Sequence, residues 1–126
     1  MNAQLVLAVA AGGAIGSVAR LLAGFASTRA FGLAFPWGTL IVNIVGSFVI
    51  GVLAESFALR WNLPPAWQAF LTVGFCGGFT TFSTFSLDVY ALVQRGEPWL
   101  AVAYVVASVA LSIGALIGGL YLVRAI

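Results

Sequence analysis

Apolar residues follow one another along this chain in four long stretches, separated by short connections with more polar residues. The stretches cover approximately residues 4–26, 38–59, 66–94 and 99–123. Each can cross a bilayer, because a spanning helix needs about 20 predominantly apolar residues. The pattern predicts an all-α membrane protein in which residues 1–126 form a single domain of four transmembrane helices.

The third stretch contains a segment whose composition does not suit a helix that faces lipid. Glycines, hydroxyl side chains and phenylalanines crowd into residues 74–86, which read GFCGGFTTFSTFS. Backbone leaves the helix at membrane depth only where protein or a water-filled cavity satisfies its polar groups. Interrupted helices near the midplane often carry ion or substrate sites. We therefore expect the third helix to break between Gly74 and Thr84, near such a site.

The second and fourth spans carry polar residues at four-residue spacing, which places them on one face of each helix. The two stripes consist of Thr39, Asn43, Ser47, Gly51 and Glu55 in the second span, and of Tyr104, Ser108 and Ser112 in the fourth. Serine and threonine in a helix also bond their own backbone one turn back. The stripes therefore indicate either a solute pathway or hydroxyls that serve only the helix.

Two pairs of glycines are spaced for close helix packing. Gly12 and Gly16 lie one turn apart in the first span, and Gly114 and Gly118 lie one turn apart in the fourth. Small residues at this spacing let two membrane helices approach closely. Each pair therefore predicts a helix–helix contact.

Composition and charge exclude several classes of protein. The chain is 63% hydrophobic and 6% charged, whereas about a quarter of the residues of a soluble domain are charged. A net charge of +2 gives no footprint for nucleic acid. With no histidine and one cysteine, the usual zinc and haem sites are excluded. No paired carboxylates lie near a nucleophile and there is no phosphate loop, so an enzyme is not expected.

The arginines predict that the chain has almost no preferred orientation. In a four-span chain, Arg60 and Arg124 lie on one side of the membrane, and Arg29 and Arg95 lie on the other. Cytoplasmic loops normally carry the excess of arginine and lysine, and this chain has hardly any excess. We therefore predict dual topology and an antiparallel homodimer in which the two helix breaks meet near the midplane.

The polar face of such a pathway offers neutral hydrogen-bond donors rather than fixed positive charge. The candidate lining residues are Asn43, Ser108, Ser112, Thr39, Tyr104, Phe82 and Phe85. Neutral donors bind an anion and still release it, whereas a buried arginine would hold it too tightly. Phenyl rings are electropositive at their edges, although a pair of phenylalanines also packs without any such role. Backbone carbonyls exposed by the break are also suited to a hard cation such as sodium.

Three ionisable residues fall inside the predicted spans. They are Arg20, Glu55 and Asp88, and intramembrane ionisable residues are functional candidates by default. The alternative for Arg20 and Glu55 is that they reach the membrane surface, and the alternative for Asp88 is that it caps a helix or pairs.

At these residues the chain resembles the small fluoride channel family, the CrcB-like or Fluc-type fluoride exporters. The matching pieces are Gly12-Gly13-x-x-Gly16-x-x-x-Arg20, Gly38-Thr39-Leu40-x-Val42-Asn43-x-x-Gly46 and the segment 74–86. The resemblance implies a passive, fluoride-selective channel in the cytoplasmic (inner) membrane of a prokaryote, where it lowers fluoride toxicity. It also implies an antiparallel dimer with two separate anion pathways.

The resemblance further assigns roles to individual residues. Phe82 and Phe85 match the pore phenylalanines and Asn43 the pore asparagine, while Arg20 matches an arginine in the aqueous vestibule. A polar track on the fourth helix is matched by Tyr104, Ser108 and Ser112. The backbone carbonyls of Gly77 and Thr80 match those that hold a structural sodium ion at the dimer interface.

Two other classes of membrane protein fit part of the pattern. A small multidrug-type transporter also has four spans, but it needs a membrane-embedded carboxylate in its first span, and residues 4–26 contain no Asp or Glu. An assembly or lysis protein would account for the glycine pairs, but not for the aligned polar stripes. The fluoride channel is therefore the preferred hypothesis.

Overall fold

The computed structural model of the chain describes residues 2–126, so Met1, the first residue of the predicted domain, lies outside the described residues. The helices are α1 (Ala3–Phe31), α2 (Trp37–Leu59), α3 (Pro65–Ala69), a π-helical segment (Phe70–Cys76), α4 (Gly77–Phe79), α5 (Phe82–Gln94) and α6 (Pro98–Ala125). Within the described residues, four helical stretches are long and apolar enough to span a membrane: Ala3–Phe31, Trp37–Leu59, Pro65–Gln94 and Pro98–Ala125. The predicted all-α, four-span architecture is confirmed.

Short local signals set the ends of the spans. The side chain of Asn2 accepts a hydrogen bond of 2.9 Å from the Leu5 amide and so caps the start of α1. α1 extends beyond the predicted boundary at residue 26 and ends at Phe31, where Gly32 caps it with a φ of 81° that suits glycine. Gly96, with a φ of 79°, allows the turn before α6 in the same way.

The third span consists of two half-helices. We call residues 65–79 the first half-helix and α5 the second. Between them, Thr80 and Thr81 adopt extended backbone conformations, with ψ values of 160° and 120°. The break thus lies within the predicted interval. The π-helical segment of the first half-helix was not predicted, because a wider turn leaves no simple mark in the hydropathy pattern.

The first glycine pair brings α1 against the first half-helix. A Cβ atom on Gly12 would overlap the carbonyl oxygen of Phe70, and one on Gly16 would overlap that of Phe75. Both glycines are buried. The predicted close packing at this pair is therefore confirmed, and it fixes α1 alongside the broken helix.

The second glycine pair makes no close contact within the described chain. A Cβ atom on Gly114 or Gly118 would meet nothing within 4 Å in the described chain. The close contact between α2 and α6 forms instead at Gly51, which faces the Leu116 carbonyl, and at Gly119, which faces the Phe48 carbonyl. The spacing correctly indicates small residues on α6, but the helix turns a different glycine towards α2.

The two ends of the molecule carry similar anchors. At one end, Glu55 forms an ion pair with Arg124, and Arg60 donates a hydrogen bond of 3.0 Å to the Val123 carbonyl. At the other end, Arg95 donates a hydrogen bond of 2.6 Å to the Ala34 carbonyl. Exposed tryptophans follow the same division, with Trp61 and Trp67 at the first end and Trp37 and Trp99 at the second. Both ends are therefore suited to a membrane–water interface.

Candidate functional site

An open groove of about 740 Å³ lies where α2, the two half-helices and α6 meet. We call it the long groove. It brings together most of the residues predicted for an anion pathway, and its lining includes Asn43, Gly77, Thr80, Phe82, Phe85, Ser108 and Ser112. Most of the remaining wall is apolar, with Ile50, Val73, Val109 and Ile113 among the lining residues. A few polar groups therefore converge in an otherwise apolar cleft, as in many ligand sites.

The two serines of α6 carry hydroxyl groups that bond to nothing else in the described chain. The Oγ atoms of Ser108 and Ser112 are both buried and lack a hydrogen-bond partner among residues 2–126. The alternative that these hydroxyls bond their own helix therefore does not hold. Because buried polar groups are nearly always paired, these two are donors available to a ligand in the groove.

The two phenylalanines of α5 have different surroundings. Phe82 is 78% exposed, whereas Phe85 is 8% exposed and packs against the Tyr104 ring with centroids 5.1 Å apart. The rings of Phe82 and Phe85 contact each other, with centroids 5.4 Å apart. Phe85 therefore belongs to the wall of the groove, while Phe82 stands at the surface of the single chain.

Asn43 holds the break in place through its side-chain amide. Its Nδ2 atom donates to the carbonyl of Thr81 over 3.0 Å, and its Oδ1 atom accepts from the amide of Thr81 over 2.8 Å. This pair of bonds replaces the helical partners that Thr81 loses at the break. Since an amide NH₂ group has two donors, Asn43 keeps one N–H for another partner.

The same interruption frees the carbonyl oxygens of Gly77 and Thr80. In a continuous helix Gly77 would accept from the Thr81 amide, which here donates to Asn43. Thr80 would accept from the Thr84 amide, which here donates to the Thr81 hydroxyl over 3.1 Å. Oxygen donors of this kind are the ligands that hard cations prefer. The backbone at the break therefore fits a sodium ion.

A second, smaller cavity of about 440 Å³ lies beside the C-terminal part of α1, the start of α2 and the end of α5. We call it the outer pocket. Its polar lining is Arg20, Thr28, Thr39, Thr81, Thr84, Asp88 and Arg95. Arg20 and Thr39 thus lie in a different cavity from the other predicted residues. Arg20 also donates through Nε to the Gly78 carbonyl over 3.0 Å, so it contacts the break as well.

Tyr104 lines neither cavity in the described chain. It is completely buried beneath the rings of Phe35 and Phe85. Its hydroxyl donates to a carboxylate oxygen of Asp88 over 2.9 Å. Asp88 is therefore paired, which is one of the alternatives considered from the sequence. The spacing predicts that Tyr104, Ser108 and Ser112 form one polar track, but in the structure the Tyr104 side chain does not line the groove with the two serines.

Comparison with known proteins decides the family. The family model described as CrcB-like protein, Camphor Resistance (CrcB), matches residues 7–120. The chain belongs to the CrcB family. Two similar proteins are fluoride-specific ion channel FluC 1 of Nitrobacter hamburgensis, 59% identical over 98% of each chain, and fluoride-specific ion channel FluC of Nitrobacter winogradskyi, 56% identical over 100% of each chain. A third is FluC of Rhodospirillum centenum, 54% identical over 96% of each chain.

Membership of the CrcB family confirms the resemblance recognised from the sequence. The names of these relatives describe channels rather than enzymes. In this CrcB protein, five further hydroxyl residues line the cavities although they were not assigned to the site, among them Ser47, Thr81 and Thr84. Ser47 belongs to the polar stripe of α2, and the two threonines belong to segment 74–86. The polar stripe and the composition of this segment were visible in the sequence, but residue spacing alone could not distinguish residues that line a cavity from residues with a structural role.

Proposed function

We propose that this chain is a fluoride-specific ion channel that lets fluoride leave the cell passively across the cytoplasmic membrane and so lowers its toxicity. Family membership and the channel names of close relatives support this function. The observation that carries it is the pair of buried, unpartnered hydroxyls of Ser108 and Ser112, which lie in one groove with Phe82 and Phe85.

These serines suit an anion that must lose its water inside the membrane. Fluoride is small, strongly hydrated and a strong hydrogen-bond acceptor, so it enters only where donors replace its water. The hydroxyls of Ser108 and Ser112 break no internal hydrogen bond when they turn towards an ion. Because both are neutral, they bind the ion and also release it, as conduction requires. Chloride is larger and gains less from the same donors.

The phenylalanines add a second kind of contact. The edge of a phenyl ring carries partial positive charge, and the rings of Phe82 and Phe85 are inclined by 47° to each other. Both rings line the long groove, and they are not stacked face to face. We infer that these edges help to hold fluoride where fewer hydroxyls are within reach.

A second copy of the chain is needed to complete the pathway. Phe82 is 78% exposed, and Gly77, Ser83 and Ser86 are exposed as well. In a lone chain, the break and its hydroxyls would face lipid, which cannot satisfy polar groups. Since the two ends carry similar arginine and tryptophan anchors, we propose that the partner is an oppositely oriented copy and that the channel is an antiparallel homodimer.

A sodium ion at the centre of this dimer would be held by backbone alone. Each copy offers the freed carbonyl oxygens of Gly77 and Thr80, and the symmetry of a dimer supplies the same two again. Such an ion would tie the two breaks together. The role assigned to it is structural, and no part of fluoride movement depends on its chemistry.

The direction of transport follows from the membrane potential. HF enters the cell as a neutral molecule and dissociates inside, which leaves fluoride behind. An anion on the inner side of a negative-inside membrane is driven outwards by about 2.3 kcal/mol per 100 mV. A passive channel therefore exports fluoride without an energy source of its own.

Efflux from liposomes tests the function directly. Purified protein is reconstituted into liposomes loaded with fluoride or with chloride, and a potassium ionophore allows efflux to be measured with ion-selective electrodes. We expect rapid fluoride release and chloride release no faster than in protein-free liposomes. Equal release of both ions, or none of either, would contradict the proposal.

Labelling of one engineered cysteine tests the orientation. Asn62 lies in the exposed loop between α2 and α3, so Asn62→Cys is made in a Cys76→Ala background. An impermeant maleimide added outside intact cells should label about half of the protein if both orientations are present. The Cys76→Ala protein alone is the control for background labelling. Complete labelling, or none before the cells are opened, would show a single orientation.

The sodium ion is tested through assembly rather than through flux. The dimer fraction and the thermal unfolding of purified protein are compared in sodium, in potassium and in N-methylglucamine, at equal ionic strength. We expect the dimer to be more stable in sodium, with potassium less effective because it is larger. Equal stability in all three cations would argue against a bound sodium ion.

A further inference from the structure

Thr81 is the one residue that lines both the long groove and the outer pocket in the described chain. Its neighbours divide between the cavities in a consistent way. Thr39 lines the outer pocket and Asn43, one turn further along α2, lines the groove. On α5, Thr84 lines the outer pocket and Phe85 lines the groove. The wall between the two cavities therefore lies at Thr81.

The backbone of Thr81 is fixed at this wall. Asn43 bonds both its N–H and its carbonyl, over 2.8 and 3.0 Å. The backbone of Thr81 therefore cannot swing aside without breaking two hydrogen bonds. An ion that passes between the cavities meets a side chain on a rigid support.

The hydroxyl of Thr81 keeps a proton that it can give to an ion. Its Oγ1 atom accepts from the Thr84 amide over 3.1 Å, which caps α5. The same oxygen lies 3.3 Å from Oγ of Ser83, a weak contact in which either atom can donate. The cap uses only a lone pair, so the O–H bond of Thr81 is free to turn.

We propose that Thr81 is the junction of the fluoride pathway, where the ion passes from the outer pocket into the long groove. Its O–H group leaves Ser83 and donates to the ion, while its oxygen continues to cap α5. This inference rests on the proposed function, and it makes Thr81 a specificity-determining residue in addition to those predicted from the sequence.

Three substitutions separate the hydroxyl from the cap. Thr81→Ser keeps both, Thr81→Gly removes the hydroxyl and every other side-chain donor at little cost to the start of α5, and Thr81→Val keeps the shape but loses both. Ser86→Ala is the matched control, because the Ser86 hydroxyl bonds the Phe82 carbonyl of its own helix over 3.0 Å and lines neither cavity. Each variant is reconstituted, and fluoride efflux, dimer fraction and thermal unfolding are measured.

We expect Thr81→Ser and Ser86→Ala to transport like the parent. Thr81→Gly and Thr81→Val should lose about tenfold or more in fluoride efflux, the effect of removing one hydrogen bond to a charged group, and Thr81→Gly should keep its dimer. Parental efflux in either variant overturns the proposal. So does a loss that merely parallels a loss of dimer in both, since Thr81 would then serve only the cap. If the parent itself moves no fluoride, the proposed function fails instead.

Discussion

The hydroxyl groups at the break and those on α6 belong to the same groove but differ in what they bind. At the break, Thr80 donates to the Cys76 carbonyl over 2.8 Å, and Thr81 accepts from the Thr84 amide over 3.1 Å. On α6, Ser108 and Ser112 have no partner in the described chain. The Thr81 hydroxyl replaces a helical bond at the start of α5, and the Thr80 hydroxyl adds a second bond to a carbonyl that already accepts from the Thr80 amide. The second pair does nothing for the single chain, which leaves it free for an ion.

The comparison predicts the largest effect where a side chain holds the break. Asn43→Ala removes both bonds to Thr81 and leaves an N–H and a carbonyl unpaired. We expect the free energy of unfolding to fall by about 2–5 kcal/mol, with loss of dimer and of fluoride efflux together. Unfolding in detergent and size-exclusion chromatography measure the first two.

Ser47→Ala is the matched control for Asn43→Ala. Ser47 lies one turn further along α2 and lines the same groove, but no hydrogen bond of its side chain is found within residues 2–126. The substitution Ser47→Ala should therefore leave the dimer intact. An Asn43→Ala protein as stable as the parent would mean that the break needs no support from α2.

The phenylalanines should separate flux from stability. Phe82→Ile and Phe85→Ile both remove a ring edge, so each should reduce fluoride efflux sharply. Only Phe85 packs on Tyr104 within the chain, so only Phe85→Ile should also lower the free energy of unfolding, by about 1 kcal/mol. Efflux and unfolding are measured on the same preparations. A Phe82→Ile channel that conducts like the parent would refute the ring-edge argument at that position.

Substitution of the unpartnered serines, unlike that of Asn43, should reduce fluoride efflux without reducing the free energy of unfolding. Ser108→Ala and Ser112→Ala remove buried hydroxyls that bond nothing in the chain, so the free energy of unfolding should stay the same or rise. Fluoride efflux should fall about tenfold, because a donor to the ion is lost. A loss of stability in either variant would show that the hydroxyl has a structural partner, for instance in the second copy.

The sequence was most informative where local rules decide the structure. Hydropathy and length predicted the four spans, and the crowding of glycine and hydroxyl residues predicted the break that forms at Thr80 and Thr81. The four-residue spacing placed Ser108 and Ser112 on one face of α6, and in the structure they line the same groove as Asn43. These features depend on composition and helical period alone.

Other features depend on packing between distant residues and could not be predicted in the same way. Spacing aligns Tyr104 with Ser108, but Asp88 and two aromatic rings hold Tyr104 away from both cavities. Likewise, glycine spacing cannot say which helix approaches, so the pair Gly114 and Gly118 has no close neighbour in the chain while Gly119 does. A sequence motif identifies which residues are small or polar, but their neighbours in space depend on the tertiary packing.

The smallest effect is expected at the ion pair far from the groove. Glu55 and Arg124 join α2 to α6 at the membrane surface, and their side chains are 11% and 51% exposed. Glu55→Gln removes a mostly buried charge together with its pair, so it should change the free energy of unfolding by about 1 kcal/mol or less. Arg124→Gln should cost more, because it leaves the buried carboxylate of Glu55 without a partner. Thermal unfolding of both variants and of the double variant measures the difference, while fluoride efflux should match the parent in Glu55→Gln. If Glu55→Gln instead abolished efflux with the dimer intact, a side chain that is paired within the chain and remote from the groove would control transport. That result would contradict the hypothesis that paired polar groups stabilise the fold and unpaired ones serve the ion.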